Sequence, residues 1–267
     1  MRDKYQRDIK YLRLSVTDRC NLRCVYCRPE EGLDLSNTRP ILTIEELFEI
    51  ARVAVTELGI TKVRLTGGEP TYRRGIVELV RMLSPLPGLQ DLAMTTNAVM
   101  MPKLAADLKS AGLHRVNVSL DSLDPESFRR MTRNGRLEDV LAGIDAALAA
   151  GLTPVKLNCV INESPSEPDA LSVQNYADKM GLQVRFIRRM DMARGEFWQV
   201  VGGTGGKCSE CGRLRVTSTG DVLPCLFSDL SYNVRVLGIK EALQKAVGNK
   251  PESGKSSKKN RFYTVGG

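Results

Sequence analysis

Between residues 10 and 190, short β-rich runs alternate with longer stretches of helical, amphipathic periodicity. The strand candidates are YLRLSV (11–16), KVRLTG (62–67), LAMTT (92–96), RVNVSL (115–120), VKLNCVI (155–161) and QVRFI (183–187). Helix candidates such as 43–58 and 137–151 lie between them. Thr43 followed three residues later by Glu46 reads as a capping box, and Gly151 as a helix C-cap. Strands separated by helices imply right-handed βαβ units and a parallel sheet. Six such units predict an α/β fold, an incomplete (β/α)6 barrel of TIM type, since eight units close a full one.

After residue 190 the pattern changes. Residues 194–229 are rich in glycine and cysteine, and RLRVTSTGDVLPC (213–225) reads as a hairpin turning near Thr219–Gly220–Asp221. A helix over 238–248 follows, then a polar, basic tail ending in Gly266–Gly267, where fraying is the default. GTGG (203–206) is too short for a phosphate loop and reads as a turn. The expected division is a partial barrel over 1–190 and a small C-terminal region over 191–267.

Composition changes this picture little: 42% hydrophobic and 26% charged residues in 267 suit an ordinary globular chain. No apolar run reaches 18 residues, and the charged N-terminus lacks a signal core. The expectation is a cytoplasmic protein with no membrane partner, where structural disulfides are rare. A net charge of +8 points to an anionic partner, either a phosphorylated small molecule or nucleic acid. Aromatics at 5%, with no aromatic-rich basic patch, argue against nucleic acid.

The cysteines change it most. Cys20, Cys24 and Cys27 fall within eight residues just after the first strand candidate, where barrel active sites sit. Cys208, Cys211 and Cys225 form a second group, and Cys159 stands alone in an apolar run that reads as core. The single histidine, His114, belongs to neither group. Two triads without histidine suit zinc poorly, because zinc sites are usually four-coordinate. Each triad suits an iron–sulfur cubane with three thiolate ligands and one open iron.

The C-x3-C-x2-C spacing, the aromatic Tyr26 before its last cysteine and the TGGEP stretch (66–70) resemble the radical S-adenosylmethionine (SAM) enzymes. More narrowly, LRLSVTDRCNLRCVYC, VRLTGGEP, TTN, RVNVSLDSLDPESF, VKLNCVIN and CSECGRLRVTSTGDVLPCLFSD resemble GTP 3′,8-cyclases of molybdenum-cofactor biosynthesis, the MoaA type. The terminal Gly-Gly belongs to the same likeness.

The resemblance implies two 4Fe–4S clusters, SAM, and GTP or a related phosphorylated small molecule. Cys20, Cys24 and Cys27 would hold the SAM cluster; Cys208, Cys211 and Cys225 would hold the second. Tyr26, Gly67, Gly68, Ser119 and Met190 would contact SAM. Arg13, Arg64, Thr95, Lys156, Arg213 and Arg215 would line the nucleotide site, and Gly266 and Gly267 would take part in catalysis. Arg13 and Arg64 are each flanked by apolar residues, so they face opposite to those neighbours, which in a barrel means the lumen. An electron donor such as flavodoxin or ferredoxin is implied, and a homodimer is a candidate assembly.

Three departures from that pattern stand out: a short stretch between Met190 and Cys208, Arg188 where an acid is usual, and Gly212 where an asparagine is usual. Two other readings remain at this level. One is a radical SAM maturase of a peptide or small molecule; the other is a non-catalytic basic iron–sulfur protein.

Overall fold

The computed structural model describes residues 1–29 and 39–265. Gly266 and Gly267, and with them the expected catalytic role of the diglycine, lie outside the described residues. Six strands form the expected repeat: β1 (Tyr11–Ser15), β2 (Lys62–Thr66), β3 (Asp91–Thr96), β4 (Arg115–Ser119), β5 (Lys156–Ile161) and β6 (Gln183–Arg188). They pair in parallel in chain order, with Arg13 opposite Arg64 and Thr95 opposite Asn117. Helices α1 (Ile44–Arg52), α2 (Ile76–Leu83), α3 (Met101–Ser110), α4 (Pro125–Thr132), α5 (Leu137–Ala149) and α6 (Pro168–Met180) fill the crossovers.

The sheet does not close. β7 (Arg213–Val216) joins β1 in parallel, and β8 (Asp221–Leu223) and β9 (Tyr232–Asn233) extend it antiparallel, giving the order β6-β5-β4-β3-β2-β1-β7-β8-β9. The C-terminal segment thus continues the sheet that the barrel strands begin. Helices α7 (Val234–Leu237), α8 (Ile239–Gly248) and α9 (Phe262–Val265) complete the described chain.

Period-2 alternation decides what faces where. Leu12, Leu14, Val63, Leu65, Leu92, Met94, Val116, Val118 and Leu157 are buried in one continuous apolar core with the helices' inner faces, and Cys159 lies in it as expected. The residues intervening between them are polar, apart from Ala93, and point into the concave side. The capping box forms as expected, with Thr43 and Glu46 each accepting from the other's backbone N–H. The periodicity over 43–58 predicts one α-helix, but α1 widens into π turns at Val53–Glu57. Val53, Ala54 and Val55 are buried there.

Up to Val265 the basic tail is held against the rest of the described chain. Lys250 is the largest fully buried side chain, its Nζ donating to the carbonyls of Arg213 and Pro224. Asp229 accepts from the hydroxyl of Ser257 and the N–H groups of Lys258 and Lys259. Val265 is buried with Met192, Leu223, Leu226 and Phe227 in a second small core.

Candidate active site

The loop after β1 carries the first triad. The Cys24 carbonyl accepts from the N–H groups of Cys27 and Arg28, curling Cys24 and Cys27 into one turn. Behind it stands the diglycine of the loop after β2. A Cβ on Gly68 would lie 2.2 Å from the Arg19 carbonyl oxygen, and one on Gly67 2.4 Å from that of Thr17. Only glycine lets these two backbones meet, with Gly68 N–H donating to Thr17 O at 2.7 Å and Glu69 N–H to Arg19 O at 2.8 Å.

Buried polar groups pin this corner. Glu69 accepts from the N–H and hydroxyl of Thr71, the hydroxyl of Thr96 and the N–H of Asn97, so it ties the loop after β2 to the end of β3. Burial still raises its pKa above the usual carboxylate range. Asn97 Nδ2 donates to Asn21 Oδ1 at 2.7 Å and to Cys20 Sγ at 3.8 Å, and the Leu22 N–H donates to the same sulfur at 3.4 Å. The Tyr26 hydroxyl donates to Asp121 Oδ2 at 2.6 Å, while Asp121 Oδ1 accepts the Val160 N–H.

The residues fit the expected clusters. All six candidate ligands are free thiols, partly accessible. Burial raises the pKa of Cys20, Cys24 and Cys27, that of Cys27 to about 11, and mutual repulsion raises those of Cys24 and Cys27 further, so the thiols share one small volume. Among the described residues no three His, Cys, Asp or Glu side chains converge on a single ion. A cubane needs a wider ring, because each thiolate binds a different iron.

The second triad has a different electrostatic setting. Cys208 and Cys211 flank a single 3₁₀ turn, and Cys225 follows β8. Burial works to raise Cys211, yet Lys250, the Arg213 N–H and the charges of Arg213 and Arg215 bring it below the ordinary thiol value. The Arg7 guanidinium reaches in from the N-terminal segment to the carbonyls of Cys208, Pro251 and Glu252. Gly212 leaves no room for the asparagine of the family pattern, since a Cβ there would lie 2.2 Å from Asp8 O.

Between the triads lies a cationic lumen. Arg13 and Arg64 are 9% exposed, and Arg13 Nε and Nη2 and Arg64 Nε have no partner. Burial, then Arg215, Arg64 and Arg213, bring the Arg13 pKa well below the usual guanidinium value. Lys156, Arg185 and Arg215 are lowered by the same combination of burial and neighbouring cations. Arg64 and Arg213 stand over the Tyr11 ring, at 5.3 and 5.8 Å from its centroid. Guanidiniums on four strands that repel one another, with Asp91 offsetting only part of that repulsion at Arg64 and Lys156, make a receptor for a multiply charged anion.

Of the sequence-predicted residues, Arg13, Arg64, Thr95, Lys156, Arg213 and Arg215 all fall on the lumen side of the sheet. Ser119 ends β4 half-buried, opposite Asn158. Met190 packs on the second small core. Arg185 on β6 was missed, although the alternation that marks Arg13 marks it too. Tyr11 and Asn117 were also missed; both carry buried polar atoms without a partner.

The short stretch before Cys208 spans the open side. Val201 and Phe186 exchange backbone hydrogen bonds, attaching it to β6. Thr204 Oγ1 accepts from Arg213 Nη2 at 3.1 Å, attaching it to β7. Arg188, the second departure, stacks 4.0 Å from the centroid of Trp198 in this strap. The GTGG stretch is therefore part of a bridge across the mouth.

A parallel partial barrel with a cysteine triad at its loop end and a cationic lumen defines a radical SAM enzyme, and residues 14–167 match the Radical SAM superfamily. The fold matches SuiB of Streptococcus suis bound to its precursor peptide SuiA, with a TM-score of 0.66 at 15% identity over 92% of this chain and 66% of that one. It also matches anSMEcpe with bound AdoMet, with a TM-score of 0.65 at 16% identity over 91% and 81%. Within the superfamily, the chain belongs to the GTP 3′,8-cyclase family. It is 39% identical to the GTP 3′,8-cyclase of Petrotoga mobilis (95% of this chain, 94% of that protein). It is 37% identical to that of Thermodesulfovibrio yellowstonii (94% and 95%). The Petrotoga alignment runs over 305 positions, more than the 267 residues here, so the relative carries stretches this chain lacks.

Proposed function

We propose that this protein converts GTP to (8S)-3′,8-cyclo-7,8-dihydroguanosine 5′-triphosphate for molybdenum-cofactor biosynthesis. The observation that carries the reading is the lumen of unpaired, buried guanidinium nitrogens between two cysteine triads. Cys20, Cys24 and Cys27 would hold a 4Fe–4S cluster, which would supply the one-electron chemistry of SAM cleavage. Cys208, Cys211 and Cys225 hold the second cluster, in the region from residue 191 onward.

The chain's own work is placement. Arg13, Arg64, Arg185, Arg213 and Arg215, with Lys156, grip the triphosphate, and burial of Arg13 and Arg64 strengthens their charged hydrogen bonds. Gly67 and Gly68 leave backbone room for SAM beside the first triad, with Tyr26, Ser119 and Met190 completing its surroundings. Holding SAM and the sugar in one orientation supplies the proximity the reaction needs. Gly266 and Gly267 complete the site from the tail. In support, α9 directly before them packs near β1, and the Tyr263 ring lies 6.0 Å from the Arg28 guanidinium, next to Cys27. The reductant is a small electron carrier of the flavodoxin or ferredoxin kind, and a homodimer is the assembly to test.

Anaerobic reconstitution followed by SAM, dithionite and GTP tests the reading by mass spectrometry. The cyclised nucleotide should form together with 5′-deoxyadenosine. SAM cleavage that never yields a GTP-derived product would overturn the choice of substrate. Removing Gly266 and Gly267 should leave SAM binding intact and stop product formation.

A further inference from the structure

Asn117 sits on β4 with no solvent exposure, yet its Nδ2 has no hydrogen-bond partner. Its orientation is fixed by a relay. Asp91 accepts from Arg115 Nε at 3.0 Å and from Arg115 Nη2. Arg115 Nη1 in turn donates to Asn117 Oδ1 at 3.1 Å. A guanidinium can only donate, so the amide oxygen must face Arg115 and the NH2 must face the other way.

The neighbours define what the NH2 meets. Asn117 pairs in register with Thr95 on one side and Lys156 on the other. Thr95 Oγ1 is likewise buried without a partner. Two strand positions on, at the loop end, is Ser119. An uncharged donor and an uncharged hydroxyl thus stand side by side, one inward-facing position nearer the loop end than Arg13 and Arg64, with Lys156 level with Asn117 and Arg185 level with Ser119.

We propose that Asn117 donates its amide to a ribose hydroxyl of the nucleotide, with Thr95 as that hydroxyl's second partner, and so presents the sugar carbon to SAM. The inference rests on the nucleotide reading above. Guanidiniums suit phosphate oxygens. A sugar hydroxyl both donates and accepts, so it satisfies an amide that only donates and a threonine that does either. Burying the unsatisfied NH2 costs free energy in the empty protein, and the ligand's oxygen returns it.

The test compares GTP, 2′-deoxy-GTP and 3′-deoxy-GTP binding to the reconstituted protein, anaerobically and without reductant so that nothing turns over. The unmodified protein should bind one of the two deoxy analogues on the order of tenfold more weakly than GTP. Asn117→Ala and Asn117→Ser should weaken GTP by about the same factor and erase the discrimination, with SAM affinity and iron content unchanged. Equal weakening of all three nucleotides would place Asn117 in packing or on phosphate and overturn the inference. So would an unmodified protein that binds all three alike, a result that stands even if neither variant assembles. A protein that binds no guanine nucleotide fails the functional reading itself, and this inference with it.

Discussion

Gly68→Ala is a one-carbon change with a large expected effect. The new Cβ would stand 2.2 Å from Arg19 O, 2.6 Å from Arg19 C and 2.8 Å from Asp18 O, all backbone atoms that no rotamer can clear. The two loops must separate, which costs roughly 1–3 kcal/mol in overpacking. Separation also breaks the bonds from Gly68 N–H to Thr17 O and from Glu69 N–H to Arg19 O. At about 0.5–1.5 kcal/mol each, the total is roughly 2–6 kcal/mol. That is a large part of a typical domain's stability, and it falls on the residues leading into Cys20. Urea unfolding of the iron-free variant should show the loss, and SAM binding should disappear. After reconstitution, iron should fall from about eight to about four per chain as the first triad fails and the second persists. Gly248→Ala is the control: a Cβ there meets nothing within 4 Å at the end of α8. A Gly68→Ala protein with unchanged urea midpoint and full SAM affinity would refute the steric argument.

Other outcomes separate the parts of the site. Cys24→Ala should abolish SAM cleavage, whereas Cys225→Ala should keep some cleavage and lose nucleotide turnover; equal losses would dissolve the division of labour. Arg213→Ala or Arg215→Ala should each weaken GTP binding by roughly 1.5–3 kcal/mol in calorimetry, and unchanged affinity would remove them from the phosphate site. Burial raises the Asp121 carboxyl to about 6, above its unfolded value of about 3.9, so the native state holds the proton more tightly. Its contribution is full below about pH 4 and is lost as pH rises through about 6, a swing on the order of 2–3 kcal/mol. In the iron-free protein Asp121→Asn should flatten the urea midpoint between pH 4.5 and 7, and an identical slope in both proteins would sink the assignment.

The strands, their order and the lumen arginines were readable because Leu12–Arg13–Leu14 and Val63–Arg64–Leu65 leave one polar residue between two that must be buried. The triads were readable from spacing alone. Arg185 carries the same signal between Val184 and Phe186. Lys250 was illegible for a physical reason. Asn-Lys-Pro after a helix looks like surface, and only the assembled hairpin supplies two carbonyls to bury an ammonium against. The Asp91–Arg115–Asn117 relay spans two strands, so it exists only once register is set. The glycine-rich turn before Cys208 gave no hint of its partners, because Phe186 and Arg213 come from opposite sides of the sheet.

The position of β1 has a consequence for synthesis. It is the first strand made, yet it lies inside the sheet, and its second neighbour β7 leaves the ribosome roughly 200 residues later. Until then β1 is an open edge, with Arg13 and the first triad beside a missing wall. Arg7 waits as long for the carbonyls of Cys208, Pro251 and Glu252. The first triad's thiols are therefore made long before the wall beside β1 is in place. A nascent chain stalled before residue 213 would expose the same edge to other chains.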